Sequence, residues 1–111
     1  MQKKSFGQLS EYKAAQFLLK KNFQILARNF QTNRGEVDLI ARDQDSIVFV
    51  EVKARRSDKF GTAIESVTEA KLQKIVAAGQ AWLQKNNCPE ADFRVDVVTF
   101  DQDKVEHLQG V

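Results

Sequence analysis

The sequence predicts an α/β domain in which a central β-sheet is flanked by helices. Two observations carry this prediction. Amphipathic helical patterns are separated by β-rich runs, and the apolar faces of all these elements are buried together if a helix covers each side of one sheet. At 111 residues the chain predicts a single domain over residues 1–111. A chain of this length buries roughly two-thirds of its unfolded surface, which suffices for a core without disulfides.

The first elements are a helix, a strand and a turn. Gly7 and Ser10 precede or open a helical pattern that ends near Asn22. Residues 23–30 alternate apolar and polar side chains, which is typical of a strand, and the Asn-Arg-Gly segment at residues 33–35 is a turn signal. The apolar face of the helix is predicted to contain Leu9, Ala14, Phe17 and Leu18.

A β-hairpin follows this turn. Residues 36–41 (EVDLIA) and 46–54 (SIVFVEVKA) are two β-rich runs, and residues 42–45 connect them. Side chains alternate between the two faces of a strand, so Val37, Leu39 and Ala41 are predicted to share an apolar face of the first run.

The C-terminal half predicts a helix and two strands. Apolar spacing indicates a long amphipathic helix from Glu65 to Leu83, which Pro89 closes. Residues 93–100 (FRVDVVTF) read as a buried strand, and residues 104–108 as a weak final strand. The predicted order is helix, three strands, helix, strand and strand.

Composition restricts the class of protein. Cys88 is the sole cysteine, so an internal disulfide is excluded, which fits a reducing compartment. No apolar run approaches the roughly 20 residues of a membrane span, and the N-terminus lacks the apolar core of a signal peptide. The sequence therefore predicts a cytoplasmic protein that does not enter a membrane.

Charge is distributed unevenly along the chain. Residues 1–74 contain 14 Lys and Arg and 9 Asp and Glu, a net charge of +5, whereas residues 75–111 have a net charge of −3. A basic N-terminal part is compatible with a polyanionic partner such as nucleic acid. Many soluble proteins show such asymmetry, so the charge distribution alone does not identify a function. A function has to be inferred from particular residues.

Those residues lie on the hairpin. Glu51 and Lys53 share one face of the second strand, and Asp38 shares a face of the first strand with Glu36 and Ile40. A connecting loop of two or four residues places the two carboxylates opposite one another, with Cβ atoms roughly 4.5–5.5 Å apart. An odd loop would put them on opposite faces and set apolar residues against charged ones, so the pattern favours the even loop.

Two facing carboxylates destabilise a sheet unless something compensates their charge. Mg²⁺ is a natural compensation because it binds one or two carboxylates and keeps waters for a substrate. Lys53 lies one pleat beyond Glu51, within reach of whatever the metal binds. Carboxylates, a lysine and Mg²⁺ or Mn²⁺ suit phosphodiester hydrolysis. The alternative is that Glu51 and Lys53 belong to an ordinary solvent-exposed face of the strand and have no role in catalysis.

The spacing D-x₁₂-E-x-K on a hairpin resembles the PD-(D/E)XK motif of restriction endonucleases and archaeal Holliday-junction resolvases. More closely, the chain resembles the bacterial YraN family, which has an endonuclease-like fold. The residues that carry this resemblance are Gly7, Ser10, Glu11 and Ala14, the Ala-Arg-Asn segment at 27–29, the segments GEVDLIA and FVEVKAR, Phe60-Gly61, Lys71 and the segment RVDVV at 94–98.

This resemblance implies a restriction-endonuclease-like mixed sheet, with Asp38 and Glu51 as metal ligands and Lys53 as the catalytic lysine. Glu11 matches a helical glutamate that completes the acidic cluster in related resolvases. Val37 replaces the proline of the motif.

Basic residues outside the motif are candidate contacts for nucleic acid. Arg55 and Arg56 follow it directly, and Lys71 lies on the long helix, where each is placed to hold a flanking phosphate unless it is simply solvated. His107, the sole histidine, has no predicted role.

The favoured function is a metal-dependent nuclease acting on DNA, at branched or damaged structures by analogy with resolvases. The alternative is a nucleic-acid-binding module that needs a partner for cleavage or lacks it, and a third reading is a structural domain. RNA as the substrate and a homodimer as the assembly remain open.

Overall fold

A computed structural model describes residues 6–55, 63–101 and 104–111. Over these residues the chain forms two α-helices, a short 3-10 helix and five strands. None of these helices has the length and apolarity needed to cross a membrane. In chain order the elements are α1 (Phe6–Lys20), β1 (Gln24–Thr32), β2 (Gly35–Asp43), β3 (Ser46–Arg55), the 3-10 helix (Ile64–Ser66), α2 (Glu69–Lys85), β4 (Phe93–Asp101) and β5 (Lys104–Leu108).

The five strands form one mixed sheet in the order β1-β2-β3-β4-β5. The pair β3–β4 is parallel and the other neighbouring pairs are antiparallel. Parallel neighbours require a crossover, and α2 supplies it on one face of the sheet. The predicted α/β class, the order of elements and the endonuclease-like mixed sheet flanked by helices are therefore confirmed.

The core has two layers, one on each face of the sheet. Alternation along β3 directs Val48 and Val50 towards α1, and Ile47 and Phe49 towards α2. Helix α1 contributes Ala14, Ala15 and Leu18 to the first layer, and α2 contributes Ile75, Ala78 and Leu83 to the second.

The buried stripe of α1 differs from the predicted one at Leu9, which is 43% exposed. Ser10, Ala14 and Leu18 are each four residues apart, so they lie above one another on the face that meets the sheet. Leu9 is one position out of this series and therefore lies to the side. The prediction was right for Ala14 and Leu18 and wrong for Leu9.

Helix α2 begins later than predicted. Thr68 is its N-cap and accepts a hydrogen bond from the backbone N–H of Lys71 at 3.1 Å, so residues 64–66 form a separate 3-10 helix. The helix ends at Lys85, and Asn87 adopts a left-handed backbone (φ 60°) before Pro89 is reached. Pro89 therefore follows the end of the helix and does not terminate it.

The hairpin β2–β3 has the predicted even loop. Asp43 pairs with Ser46, which leaves the two-residue connection at residues 44–45, and Gln44 adopts a left-handed backbone there (φ 55°). A two-residue loop of this kind fixes the register of the strands that it joins.

One face assignment on β2 is wrong. Val37 packs in the layer next to α2, whereas Leu39 and Ala41 pack next to α1. The position opposite Asp38 on β1 is Asn29, which has a left-handed backbone (φ 52°). The register continues past this position, with Arg28 opposite Leu39 and Phe30 opposite Val37, and the register shift between β1 and β2 lies elsewhere, between Ile25 and Ala27.

A buried carboxylate anchors the C-terminal residues to β4. Asp96 is fully buried and accepts hydrogen bonds from the Arg94 side chain at 2.9 Å and from the backbone N–H of Gly110 at 3.0 Å. His107 Nε2 lies 2.8 Å from Asp96, and Lys21 Nζ lies 2.7 Å from Nδ1. A charged amine only donates, so Nδ1 accepts and Nε2–H donates to Asp96. The sole histidine thus joins β5, β4 and the residue following α1.

We predict that Gly79→Ala destabilises the protein. Gly79 is buried in α2, and a Cβ atom there would overlap the ring of Phe49. Overpacking of this kind costs about 1–3 kcal/mol, which exceeds the gain of about 1 kcal/mol in helix propensity from Gly to Ala. Urea unfolding measures the difference, and Gln80→Ala at the neighbouring exposed position is the control. A Gly79→Ala protein more stable than wild type would show that α2 lies farther from β3 than the close approach of Gly79 to Phe49 implies.

Candidate active site

The predicted site residues line one cavity of about 240 Å³ at the end of the β2–β3 pair opposite its loop. Its walls come from α1, β2, β3 and the start of α2. The residues that line it are Ser10, Glu11, Glu36, Asp38, Glu51, Val52, Lys53, Ala54 and Lys71. The structure therefore brings together the two carboxylates, the lysine of the hairpin motif and the helical glutamate.

Asp38 is held against β3 by a backbone hydrogen bond. Its Oδ2 atom accepts from the N–H of Val52 at 2.8 Å, and the side chain is buried. Burial raises the pKa of Asp38, while the Val52 hydrogen bond and the nearby lysines act in the opposite direction. The hydrogen bond fixes the orientation of the carboxylate within the cavity.

Glu51 lies beside Asp38 and is only 3% exposed. Burial, followed by the negative charge of Asp38, raises the pKa of Glu51 to about 7. Its Oε2 atom is buried and has no hydrogen-bond partner among the residues that the structure describes. Leaving a buried acceptor unpaired costs free energy, so this oxygen is the least satisfied group in the cavity.

Two lysines approach the other oxygen of Glu51. Lys53 Nζ lies 3.8 Å and Lys71 Nζ lies 3.7 Å from Oε1. These distances give ion pairs that are longer than direct hydrogen bonds, and both side chains remain about a third exposed. Each amine can therefore also reach an anion that enters the cavity.

The contact between Lys71 and Glu51 was not foreseen from the sequence, which assigned Lys71 only to nucleic-acid binding. The available signal was that Lys71 and Lys74 lie about one turn apart on α2. This spacing defines a helix face but does not indicate which strand residue the face meets.

Glu11 lines the cavity without completing a three-carboxylate cluster. Burial and then the charge of Asp38 raise its pKa, while a hydrogen bond with the Asn29 side chain lowers it. Within residues 6–55, 63–101 and 104–111, no three His, Cys, Asp or Glu side chains are grouped closely enough to hold a metal ion. The geometry is that of a two-carboxylate site, and a ligand role for Glu11 stays a prediction.

The donor set nevertheless fits a divalent cation. Asp38 and Glu51 are two buried oxygen donors facing one cavity, and Glu51 Oε2 is unpaired in the described part of the chain. Mg²⁺ is commonly bound through one or two carboxylates and completes its coordination with waters and substrate phosphates. A cation at these oxygens would satisfy Oε2 and offset the repulsion between the two carboxylates.

The structure describes two of the three residues that the sequence predicts to contact nucleic acid. Arg55 is half-buried at the end of β3, and Asp101 is the residue opposite it in the register of the neighbouring strand β4. Arg56 and the segment Phe60-Gly61 lie outside the described residues. Of the two predicted contacts that the structure describes, Arg55 and Lys71, it is Lys71 that lines the cavity.

Sequence comparisons connect the chain to known proteins. The profile of "Uncharacterised protein family UPF0102" matches residues 10–100. A UPF0102 protein of Sulfurihydrogenibium sp. is 38% identical over 110 residues, covering 99% of this chain and 96% of that protein. A UPF0102 protein of Vibrio campbellii is 45% identical, with coverages of 88% and 82%. One from Caldicellulosiruptor saccharolyticus is 42% identical, with coverages of 88% and 83%. None of these names states a reaction.

We predict that Glu51→Gln stabilises the metal-free protein at alkaline pH. The folded-state pKa of Glu51, about 7, exceeds the ordinary value of 4.5, so the folded state binds this proton more tightly than the unfolded state. The resulting stability is fully present below pH 4.5 and is lost as the pH rises through about 7.

Urea unfolding in chelator at pH 5 and pH 8 tests this prediction. The variant should exceed wild type by about 1–3 kcal/mol at pH 8 and differ much less at pH 5. Asp45→Asn, at an exposed loop position, is the control for removing a charge. Destabilisation by Glu51→Gln at pH 8 would show that the Glu51 charge stabilises the fold through its ion pairs with Lys53 and Lys71.

Proposed function

This chain belongs to the UPF0102 (YraN) family, and we propose that it is a metal-dependent nuclease that hydrolyses phosphodiester bonds in DNA. The observation that carries the proposal is the buried Glu51 carboxylate, which shares a cavity with Asp38 and keeps an unpaired oxygen among the described residues. A structural role gives no reason for such an arrangement, because a glutamine or an apolar residue would cost less to bury.

Charge balance supports an anionic substrate. Four carboxylates line the cavity, those of Glu11, Glu36, Asp38 and Glu51, and two lysines, Lys53 and Lys71, offset part of their charge. Without further positive charge, a phosphodiester would be repelled by the carboxylates. A divalent cation would bind the Asp38 and Glu51 carboxylates and leave both amines free to interact with phosphate oxygens.

The residues then have separate roles. Asp38 and Glu51 would hold Mg²⁺ or Mn²⁺, which supplies an activated water and neutralises charge on the phosphate when bound. Lys53 extends from β3 into the same cavity, where its amine would orient the attacking water or stabilise the charge of the pentacovalent state. Lys71 would contact a phosphate oxygen from the α2 side of the cavity.

A second candidate function is a nucleic-acid-binding module that requires a partner protein for cleavage. The observation that favours it is the two-carboxylate arrangement, since no third metal-ligating side chain completes a cluster in the described residues. Incubation of the pure protein with duplex, flap and four-way DNA in Mg²⁺ or Mn²⁺ separates the two functions. Cleavage supports the nuclease, and binding without cleavage supports the module.

We predict that Mg²⁺ or Mn²⁺ raises the melting temperature of the wild type. A ligand that binds only the folded state stabilises it by about 2.7 kcal/mol at 100 times its Kd. Glu51→Gln removes a proposed ligand, so its shift should be much smaller. Thermal melts with the metal and with chelator measure both shifts. Asp45→Asn should behave as wild type, and equal shifts for all three proteins would exclude binding at Glu51.

We further predict that Lys53→Ala retains metal binding and loses cleavage, whereas Asp38→Ala loses both. A lysine amine is not a ligand for Mg²⁺, and loss of one charge-stabilising donor lowers the rate by about 10²–10³-fold. Calorimetry measures metal affinity, and cleavage of labelled DNA measures the rate. Lys85→Ala, at the far end of α2, is the control. Loss of metal by Lys53→Ala with retention by Asp38→Ala would reverse the assigned roles.

A further inference from the structure

A second and larger cavity, of about 490 Å³, lies between the β1–β2 turn and α2. We call it the turn groove. The turn and the start of β2 form one wall, and the first half of α2 forms the other. Its principal lining residues are Thr32, Arg34, Gly35, Glu36, Lys71 and Lys74.

The walls of the turn groove are held in place by close packing. A Cβ atom on Gly35 would lie 2.6 Å from the carbonyl oxygen of Lys74, so only glycine lets the turn approach the helix backbone this closely. The Thr32 hydroxyl accepts hydrogen bonds from the N–H groups of Arg34 and Gly35 at 3.1 and 3.2 Å. The turn that carries Arg34 therefore has a defined conformation.

The turn groove is continuous with the candidate active site. Glu36 and Lys71 line both cavities. Lys71 Nζ lies 3.7 Å from Glu51 in the active site, and Lys74 lies about 4.5 Å farther along the helix axis. A linear ligand that leaves the carboxylates along α2 would pass Lys71 first and then reach Lys74 and Arg34.

Charge identifies the kind of ligand. Three of the lining side chains are cationic, and Glu36 is the single carboxylate among those that line this cavity in the described structure. That carboxylate already accepts a hydrogen bond from the Gln31 side-chain amide at 3.2 Å. Positive charges spread along a groove, and not gathered at one point, match the successive phosphates of a nucleic-acid strand.

We propose that the turn groove binds the phosphates next to the scissile bond, with Arg34 and Lys74 as the contacts and Lys71 as the link to the active site. The class of ligand rests on the proposed function. The location of the groove, its basic residues and its continuity with the carboxylates are independent of that function.

A double variant, Arg34→Ala/Lys74→Ala, tests the turn groove without altering the active site. Arg34 and Lys74 line the groove but not the cavity that contains Glu51, so they are replaced, whereas Lys71 is left in place. Lys74→Ala keeps the Cβ atom that packs against Gly35. The matched controls are Arg42→Ala, about 24 Å from Gly35 along β2, and Lys85→Ala, about 16 Å from Lys74 along α2.

Binding is measured by fluorescence anisotropy with a labelled DNA duplex in chelator, where cleavage does not interfere. The salt concentration is varied between about 50 and 200 mM. Each phosphate contact contributes about 0.9 to the slope of log K against log salt, so the Arg34→Ala/Lys74→Ala protein should lose about 2 from the slope. Its affinity at low salt should fall by tenfold or more, whereas the two controls should match wild type.

An unchanged slope in the double variant, an equal loss in the controls, or no DNA binding by wild type would each overturn the proposal. Cleavage in Mg²⁺ is scored separately on the same proteins. If wild type cleaves DNA and the double variant binds DNA normally, the turn groove does not bind phosphates and the proposed nuclease activity stands. If the double variant loses binding and wild type cleaves nothing, the turn groove stands as a binding site for nucleic-acid phosphates and the proposed nuclease activity is wrong.

Discussion

The burial of two carboxylates side by side at one end of a strand pair is the constraint on which the candidate site depends. Asp38 is tolerated there because a backbone N–H of the neighbouring strand binds it. Glu51 is tolerated because its pKa is raised to about 7 and two amines lie within 4 Å of one of its oxygens. Its other oxygen stays unpaired among the described residues. A site with this imbalance is more stable with bound positive charge, which is the property that metal-dependent catalysis requires.

Helix α2 connects this constraint to the rest of the fold. As the crossover between two parallel strands it has to pack on the sheet, and Gly79 allows close contact with Phe49. Five residues earlier, at Lys74, Gly35 allows the β1–β2 turn to approach the helix backbone closely. These two contacts determine where the first turns of the helix lie, and hence that Lys71 reaches Glu51. The turn groove is a consequence of the same packing.

If the proposed function holds, stability and catalysis oppose one another in this arrangement. A protein selected for stability alone would replace Glu51 with a neutral residue, and catalytic sites commonly retain such unfavourable charges because the reaction needs them. The remainder of the sheet supplies the compensating stability through two apolar layers. The buried Asp96, by contrast, is fully paired through Arg94, His107 and Gly110, so it stabilises the fold and leaves no oxygen for a ligand.

The sequence by itself determined the order of the elements, the even hairpin loop and the common cavity of Asp38, Glu51 and Lys53. Strand alternation has a period of two, and a short turn fixes register locally, so these features depend on residues close together in the chain. Tertiary structure alone decided that Lys71 contacts Glu51, that Glu11 stays outside a three-carboxylate cluster and that Arg34 faces α2. It also decided the face of Val37, which packs in the layer next to α2 although alternation along β2 predicts the face that Leu39 and Ala41 share. Each of these features depends on how elements far apart in the chain pack against one another, and periodicity along one segment carries no information about that packing.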